Sequence, residues 1–262
     1  MQQAGSRFHP TRMNAIAPEQ TAAVVLAGGF GTRIKHLLGD LPKPMAPVNG
    51  RPFLEWIVRW LAAQKIRRVV VSTGYMAEMI EAHFRPQPVA GVEVTCVPET
   101  TPLGTAGGFL NAVRQSHLRP GAWFLLNGDS LTFPRLGEAI GALRDESVAG
   151  VIFGRELPDA GRYGSLVTDA GGRLVCFAEK RPGRGVVNTG IYLLRDSLLE
   201  RFGAKVPLSI EQEVFPALTV AGVSLKVLTM NAPFLDIGTP ETLPQADRFI
   251  QQNLAQFQIE NV

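Results

Sequence analysis

Short apolar runs recur along the first half of the chain, and segments of helical periodicity separate them. The first run, residues 22–27, ends directly in glycines, which is typical of a buried strand that leads into a loop. Further strands of this half are predicted at residues 68–73, 92–97 and 123–126. Helices are predicted between them at residues 52–63, 77–84 and 105–114. This alternation indicates βαβ units and a mostly parallel sheet with helices on both faces.

The second half of the chain contains more strand patterns than helical ones. Its strands are predicted at residues 148–153, 165–168, 173–177, 187–194 and 224–229. Its helices are predicted at residues 134–144, at 210–218 and from Pro240 to the C-terminus. Because neither a repeat nor a linker interrupts the pattern, we predict a single α/β domain over residues 21–262. The expected fold is Rossmann-like, with a mixed, mostly parallel sheet flanked by helices on both faces.

The first 20 residues differ from the rest of the chain. They are polar, contain Pro10 and Pro18, and show no periodicity, so residues 1–20 are predicted to form a flexible N-terminal tail. No apolar run in the sequence approaches the roughly 20 residues that a membrane span needs. We therefore expect no membrane insertion, and a cytoplasmic location is the default expectation.

Composition and charge limit the classes of binding partner that can be expected. Hydrophobic residues make up 45% and charged residues 19% of the chain, which is an ordinary globular mixture. The formal net charge is +3, and the basic residues are scattered without interleaved aromatics, so no nucleic-acid partner is predicted. Small anionic substrates account for this small positive excess as well as a nucleic acid would. Cys96 and Cys176 show no Cys-x-x-Cys spacing and are expected to be buried and reduced.

A glycine-rich loop follows the first strand, with the sequence Gly28-Gly29-Phe30-Gly31-Thr32-Arg33. Glycines at this place let backbone N–H groups approach a phosphate closely. A P-loop would need Gly-Lys-Ser/Thr, which is absent, and a dinucleotide fingerprint would need a third glycine where Ile34 stands. The loop instead carries Arg33, and Lys43 follows shortly after it. A tight turn with surface cations is the structural alternative.

Together with Pro42-Lys43-Pro44-Met45, this loop resembles the signature of sugar-1-phosphate nucleotidyltransferases. The resemblance spans residues 22–245 and implies the nucleotide-diphospho-sugar transferase type of fold. In that family the loop wraps a nucleoside triphosphate, and the arginine and lysine contact its phosphates. Fixed cations and backbone donors would stabilise the charge that grows as pyrophosphate leaves. The resemblance thus implies catalytic roles for Arg33, Lys43 and Asp129.

The resemblance also implies a set of nucleotide contacts. They are Leu26, Ala27, Gly28, Gly29, Gly31, Thr32 and Arg33 in the loop, and Glu99, Leu103, Gly104, Thr105 and Gly128 further along. The second group includes a glycine-rich turn between a predicted strand and a predicted helix, which in the family lies along the nucleobase. A simple helix-entry loop capped by Thr105 is the alternative.

Two aspartates suggest a metal site. Asp129 ends a predicted buried strand, where open α/β sheets bind ligands. Asp236 precedes the predicted last helix and could instead cap it. In the family these two carboxylates share one Mg²⁺, an ion that keeps few protein ligands, so the resemblance implies Mg²⁺ as cofactor.

Three further segments match the sugar-binding motifs of the family, in the same order along the chain. The sugar-phosphate contacts that they imply are Tyr163, Gly164, Glu179, Lys180, Asn188 and Thr189. Among these, Asn188 stands in an otherwise apolar strand, where a buried amide needs hydrogen-bond partners. Glu179 and Lys180, taken alone, also fit a solvated strand end.

Within the family, segments 44–54, 126–130 and 209–216 are most similar to bacterial D-glycero-D-manno-heptose 1-phosphate guanylyltransferases. That similarity implies GTP and a heptose 1-phosphate as substrates, with GDP-heptose made for surface polysaccharide, and a homodimer is common among relatives. Mannose-1-phosphate guanylyltransferase and glucose-1-phosphate cytidylyl- or thymidylyltransferase are the nearest alternatives. A non-catalytic nucleotide-sugar sensor of the same fold is the alternative from a different class.

Overall fold

The structure is a computed structural model that describes residues 16–161, 164–178 and 182–258. Its strands, in chain order, are β1 (Thr21–Ala27), β2 (Pro47–Val48), β3 (Arg51–Pro52), β4 (Arg68–Thr73), β5 (Glu93–Pro98), β6 (Ala122–Asn127), β7 (Ser130–Thr132), β8 (Val148–Leu157), β9 (Ser165–Thr168), β10 (Leu174–Ala178), β11 (Gly185–Arg195), β12 (Ser224–Met230) and β13 (Phe234–Asp236).

Its α-helices are α1 (Lys35–Leu38), α2 (Phe53–Ala63), α3 (Ala77–Phe84), α4 (Gly104–Ser116), α5 (Leu136–Ala142), α6 (Phe215–Val220) and α7 (Ala246–Gln252). A π-helical turn, Ile210–Val214, leads directly into α6. Short 3₁₀ turns occupy Pro18–Gln20, Lys43–Met45, Asp196–Arg201, Leu243–Gln245 and Leu254–Phe257. Among the helices described here, none combines the length and the apolar character that crossing a membrane demands.

The central sheet has nine strands. Seven of them follow the order β10-β9-β11-β6-β1-β4-β5, while β8 pairs with β11 and β12 pairs with β8. Only β11 and β10 run against the common direction of the nine, so the sheet is mixed and mostly parallel, as predicted. Because β1 is parallel to both β4 and β6, the loops that follow these strands open at one edge of the sheet.

Apolar cores cover both faces of the sheet. Along β1, Ala23 and Val25 face the core formed with α2, α3, α5 and α7, while Ala22 and Val24 face the core formed with α4 and α6. This alternation explains the continuous apolar run in the sequence, since a strand covered on both faces has no side for polar residues. Fully burying one large aliphatic side chain stabilises the fold by roughly 1.5–3 kcal/mol.

A charged cluster on α2 interrupts this apolar packing. The Glu55 side chain is only 2% exposed and accepts hydrogen bonds from Arg51 at 2.8 Å and from Arg59 at 2.7 Å. His83 of α3 lies 2.9 Å from its other oxygen. Burial by itself would raise the pKa of Glu55, but Arg59 and then Arg51 and His83 outweigh it, and the pKa is held below its ordinary value.

The structure corrects several expectations about the ends of elements. The last helix does not run from Pro240 to the C-terminus, because α7 begins only at Ala246 after a 3₁₀ turn. The helix predicted at 210–218 is a π-helical turn followed by α6. Cys176 is exposed and Cys96 is partly buried, because β10 and β5, which carry them, lie at the two ends of the main strand order.

The boundary between tail and domain also shifts. Ile16 packs against the core, residues Pro18–Gln20 form a turn that leads into β1, and the Gly121 N–H donates to the Gln20 carbonyl at 3.0 Å. Residues 16–20 therefore pack with the domain, although the sequence had assigned them to the tail. Residues 1–15 lie outside the described part of the chain.

Candidate active site

A cleft of about 460 Å³ opens at the carboxyl ends of β1 and β6. All residues predicted to contact the nucleotide line it, and so do Lys43 and Asp129. A volume of this size is typical of sites for small molecules. The parallel pairing of β1 with β6 brings the glycine-rich loop beside residues 127–129, because Leu26 stands opposite Asn127.

Gly31 and Gly128 are two of the cleft positions that require glycine. The backbone of Gly31 has a φ of +59°, and a Cβ there would lie 2.8 Å from Cβ of Lys43. At Gly128, a Cβ would lie 2.5 Å from the carbonyl oxygen of Leu26, which accepts the Gly128 N–H at 2.8 Å. The loop after β1 thus packs directly over Lys43, and the turn after β6 packs against β1.

Lys43 lies between two carboxylates. Its Nζ donates to Oδ2 of Asp129 at 2.6 Å and lies 3.9 Å from Oδ1 of Asp236. The Lys43 residue is 7% exposed, so its charge is held within the protein wall of the cleft. The structure therefore brings together the three residues that the sequence placed far apart.

A two-stranded ribbon holds the two aspartates together. β7 pairs antiparallel with β13, so that Ser130 stands opposite Asp236. The N–H of Ile237 donates to the Asp129 carbonyl at 3.0 Å and extends this pairing by one step. Main-chain hydrogen bonds, rather than contacts between the acidic side chains, thus position Asp129 beside Asp236.

The Asp236 carboxyl group is electrostatically unusual. Burial raises its pKa, and the nearby Asp129 raises it further, while Lys43, the N–H of Gly238 and Arg33 act in the opposite direction. The net result is a pKa above the ordinary value. Two close carboxylates of this kind form a donor set that suits a divalent cation such as Mg²⁺, which takes few protein ligands. Within the described ranges, no cluster of three or more His, Cys, Asp and Glu side chains offers a richer metal site.

Gly238 is a residue of this site that the sequence reasoning missed. A Cβ on Gly238 would lie 2.7 Å from Oδ1 of Asp236, 2.9 Å from Nζ of Lys43 and 3.3 Å from a guanidinium nitrogen of Arg33. Its N–H donates to Oδ1 of Asp236 at 2.6 Å. Its place two residues after Asp236 in the motif Asp236-Ile237-Gly238-Thr239 was the available signal.

The structure removes the two capping alternatives. α7 begins ten residues after Asp236, with Gln245 at its N-cap, so Asp236 does not cap it. α4 has Leu103 at its N-cap and no side-chain cap, so Thr105 does not cap that helix. The Thr105 hydroxyl instead accepts the N–H of Ile210 at 2.8 Å.

Glu99 supports the loop that leads into α4, on the side of the cleft that is predicted to face the nucleobase and is here called the base side. Its carboxylate accepts the Ser72 hydroxyl at 2.8 Å and the Leu103 N–H at 3.2 Å. The same loop is anchored from the other side by Leu208, whose N–H donates to the Leu103 carbonyl at 2.8 Å. Leu208 also accepts the N–H of Ala106 at 2.9 Å and thereby satisfies the start of α4.

The predicted sugar side is described in part. Tyr163, Glu179 and Lys180 lie outside the described residues. Gly164 and Asn188 are neighbours, since the Asn188 N–H donates to the Gly164 carbonyl at 3.3 Å.

Thr189, the remaining residue predicted on the sugar side, points elsewhere. It is 2% exposed, and its hydroxyl donates to the Phe153 carbonyl at 2.8 Å. The Thr189 side chain thus supports β8 rather than the cleft, because side chains alternate in direction along a strand.

The sequence reasoning also missed Tyr192 and Glu211. The Tyr192 hydroxyl accepts from Nδ2 of Asn188 at 2.6 Å and donates to Oε1 of Glu211 at 3.1 Å. Burial and the neighbouring Glu211 carboxylate raise the pKa of the fully buried Tyr192 well above its ordinary value, so the hydroxyl keeps its proton. An amide and a tyrosine four residues apart on one strand were the available signal.

Comparison with known proteins agrees with this geometry. The family model described as "Nucleotidyl transferase" matches residues 22–253. The chain belongs to this family. It is an enzyme, a sugar-1-phosphate nucleotidyltransferase, whose substrates are a nucleoside triphosphate and a sugar 1-phosphate.

Individual relatives are similar over most of the chain. A D-glycero-alpha-D-manno-heptose 1-phosphate guanylyltransferase from Campylobacter jejuni is 31% identical over 84% of this chain and 95% of its own length. A mannose-1-phosphate guanylyltransferase from Mycobacterium tuberculosis is 32% identical over 92% of this chain and 67% of its own length. The crystal structure of HddC from Yersinia pseudotuberculosis complexed with GMP-PN superposes with a TM-score of 0.76 at 32% identity, over 87% of this chain and 99% of that one.

Proposed function

We propose that this nucleotidyltransferase moves a guanylyl group from GTP to D-glycero-D-manno-heptose 1-phosphate. The observation that carries the chemistry is the cluster of Lys43, Asp129 and Asp236 at the glycine-rich cleft. Guanine is favoured because the Campylobacter and Mycobacterium relatives are both described as guanylyltransferases. A heptose is favoured by the Campylobacter relative, which this chain covers almost completely. The product would be a GDP-heptose, an activated sugar for surface polysaccharide.

In the proposed reaction, a phosphate oxygen of the sugar 1-phosphate attacks the α-phosphorus of GTP. The bond from that phosphorus to the bridging oxygen of the β-phosphate breaks, and pyrophosphate leaves with that electron pair. Backbone N–H groups of residues 28–33 would cradle the triphosphate, and Arg33 and Lys43 would oppose its charge. The enzyme forms no covalent bond to the nucleotide in this scheme, so its contribution is positioning and electrostatic stabilisation.

Asp129 and Asp236 would hold one Mg²⁺ ion. Bound there, the ion would neutralise phosphate charge and orient the α-phosphate. The closeness of the two carboxylates supports this assignment, because a divalent cation between them would relieve the repulsion that, together with burial, raises the pKa of Asp236. The ribbon of β7 and β13 would keep both side chains in place whether or not the ion is bound.

On the sugar side, we propose Glu179 for the sugar hydroxyls and Lys180 for the sugar phosphate. Asn188 would bind a further hydroxyl, and Tyr163 and the backbone of Gly164 would border the same subsite. Replacing Lys180 with Ala should raise the KM for the sugar 1-phosphate while the KM for the nucleotide stays close to the wild-type value. An unchanged sugar KM would contradict this role of Lys180.

Mannose 1-phosphate is the second candidate acceptor. The Mycobacterium relative is described as a mannose-1-phosphate guanylyltransferase and is as similar to this chain as the heptose enzyme. Both acceptors present a phosphate at the anomeric carbon, so the same phosphate-binding residues serve either of them. Recognition of the rest of the sugar decides between the two.

The deciding experiment is a matrix of pyrophosphate release. GTP, ATP, CTP and dTTP are each combined with heptose, mannose and glucose 1-phosphates in the presence of Mg²⁺. We expect the highest kcat/KM with GTP and the heptose 1-phosphate. A higher value with mannose 1-phosphate would move the assignment to the second candidate. If another nucleotide is preferred over GTP, the guanylyl assignment is wrong.

A further inference from the structure

Three hydroxyl groups surround the Glu211 carboxylate. Oε1 accepts the hydroxyl of Tyr192 at 3.1 Å, and Oε2 accepts the hydroxyls of Thr105 at 2.9 Å and Ser209 at 3.1 Å. Among the residues in the described ranges, no lysine or arginine forms an ion pair with Glu211. These hydroxyls are therefore the groups that compensate the charge of this partly buried carboxylate.

Each of these hydroxyls also accepts one N–H group. Thr105 accepts from the backbone of Ile210 at 2.8 Å, and Ser209 accepts from the backbone of Gln212 at 3.2 Å. Tyr192 accepts from the side-chain amide of Asn188 at 2.6 Å. An ionised carboxylate can only accept, so every hydroxyl must point its proton at Glu211 and offer its lone pairs outward.

This polarity determines which way the Asn188 amide faces. Because Tyr192 gives its proton to Glu211, its oxygen can only accept from Asn188, and the NH₂ group of the amide must face the phenol. The amide oxygen then faces the N–H of Gly190, which donates to it at 3.1 Å. One N–H and one lone pair of Asn188 remain for a ligand, in a fixed arrangement.

The same carboxylate also accepts a hydrogen bond from a residue that lines the nucleotide cleft. Thr105 lines the nucleotide cleft, but its hydroxyl is engaged by Glu211 and Ile210. Its neighbours Leu103 and Ala106 are hydrogen-bonded to Leu208, three residues before Glu211. The segment Leu208–Glu211 therefore touches the loop on the base side and, through Tyr192, the predicted sugar side.

We propose that Glu211 is a positioning residue that sets the donor and acceptor polarity of the sugar subsite through Tyr192 and Asn188. This inference rests on the proposed function, since it assigns Asn188 to the sugar. Glu211 touches neither substrate in this scheme. It accepts the hydroxyl proton of Tyr192, so the Tyr192 oxygen must accept from Asn188. The Asn188 amide is thereby held with its NH₂ group toward Tyr192.

The substitution Glu211→Gln keeps the shape of the side chain and changes only this polarity. The oxygen of the new amide should face Thr105 and Ser209, because both hydroxyls are committed to backbone N–H groups on their other side. Its NH₂ group then faces Tyr192, which must donate toward Asn188 instead. The Asn188 amide is driven to flip and loses its bond from Gly190.

The expected result is a split between the two Michaelis constants. In Glu211→Gln the KM for the sugar 1-phosphate should rise roughly tenfold, the cost of about one mismatched hydrogen bond, while the KM for the nucleotide changes less than twofold. Tyr192→Phe removes the intermediate hydroxyl and should raise the sugar KM in the same way. This second variant keeps the ring in its buried place and serves if the first one does not fold.

Glu213→Gln is the matched control. Glu213 lies in the same π-helical turn, and its carboxylate pairs with Lys205 and accepts the backbone N–H of Ser209 at 2.9 Å, so this control reports any general loosening of the turn. Kinetics are measured by pyrophosphate release with the nucleotide and sugar 1-phosphate that the wild-type chain uses best. Discrimination between the sugar 1-phosphate and its monodeoxy analogues is measured as well, since a flipped Asn188 should stop rejecting one of those analogues.

The outcomes separate the two proposals. No pyrophosphate release by the wild-type chain would contradict the proposed function itself. Wild-type turnover combined with the same sugar KM and the same discrimination in Glu211→Gln and Glu213→Gln would overturn the role of Glu211 alone. An equal rise of both Michaelis constants in Glu211→Gln would also overturn it, because general loosening of the fold does not select the sugar side.

Discussion

The ammonium group of Lys43 lies 2.6 Å from the carboxylate of Asp129, although 86 residues separate the two along the chain. Lys43 follows the glycine-rich loop, and Asp129 follows β6 on the neighbouring strand of the sheet. With Asp236 3.9 Å away, the lysine lies between two negative charges at the floor of the cleft. Its charge is thereby fixed where the phosphates of the nucleotide would meet the enzyme.

Replacing Lys43 with Met should impair catalysis strongly. The substitution keeps the length of the side chain but removes its charge, and the two carboxylates lose the cation between them. We expect kcat/KM to fall by about 10²- to 10³-fold, as for other fixed electrostatic groups in a transition state. Pyrophosphate release measures this loss, with Lys65→Met as control, because Lys65 is exposed and lies away from the cleft. Equal activities of the two variants would contradict a role for Lys43.

The variant Asp129→Asn tests the proposed metal site. An amide binds a divalent cation more weakly than a carboxylate does, so kcat should fall on the order of 10²-fold. The Mg²⁺ concentration that gives half-maximal activity should rise at the same time. A magnesium titration of the rate measures both effects. The exposed Asp40 supplies the control Asp40→Asn, and an unaltered magnesium requirement in Asp129→Asn would remove this residue from the metal site.

Gly238→Ala should damage the site without damaging the fold. The added methyl group would lie within 3.3 Å of the charged groups of Asp236, Lys43 and Arg33. Displacing these groups by a fraction of an ångström should lower kcat roughly tenfold or more. Steady-state kinetics and thermal unfolding of the same samples separate the two effects.

The control for this substitution is Gly141→Ala. Gly141 lies within α5, and nothing lies within 4 Å of the position that its Cβ would take. This change should leave kinetics unaltered and stabilise the fold by about 0.5–1 kcal/mol. Normal turnover in Gly238→Ala would mean that the three charged groups tolerate displacement.

Glu55 should contribute to stability in a pH-dependent way. Its folded-state pKa lies below the unfolded value of about 4.3, because Arg59, Arg51 and His83 favour the carboxylate. The stabilisation is therefore fully present above that unfolded value and is lost as the pH falls through the folded pKa. At pH 7, we expect Glu55→Gln to lower the free energy of unfolding by about 2 kcal/mol, a value reduced for the partial exposure of the basic partners.

Urea unfolding of the wild type and of Glu55→Gln across the acidic range measures this dependence. The difference between the two proteins should shrink as the pH falls below the unfolded pKa of about 4.3 and through the lower folded-state pKa of Glu55. Glu78→Gln is the control, since Glu78 is exposed on α3. A difference that stays constant down to pH 3 would show that packing, rather than charge, is what the substitution disturbs.

Much of the sheet could be predicted from the pattern of apolar residues. The strand predicted at 68–73 and the helix at 77–84 match β4 and α3 at both ends, because buried elements carry a continuous or periodic apolar signal. The C-terminal helix could not be delimited in this way. Thr239 and Thr242 hydrogen-bond to each other in the segment before α7, and such turns imitate the start of a helix.

The site could be predicted less completely than the fold. Asp129 was visible from its place at a strand end, but its pairing with Asp236 depends on the ribbon of β7 and β13, two three-residue strands with little signal of their own. Thr189 was predicted on the sugar side because a motif names neighbouring residues together, whereas its side chain is bonded to β8. Glu211 was missed because its role depends on hydroxyl groups from three separate segments.

The ribbon of β7 and β13 also has a consequence for the timing of activity during synthesis. The strands that carry the glycine-rich loop, Lys43 and Asp129 are complete once β6 and β7 have left the ribosome, whereas β13 is made about a hundred residues later. Asp236 can therefore join Lys43 and Asp129 only after about a hundred further residues have been made. On the proposed function, we expect a chain that ends before β13 to lack one of the two metal-binding carboxylates and to release no pyrophosphate.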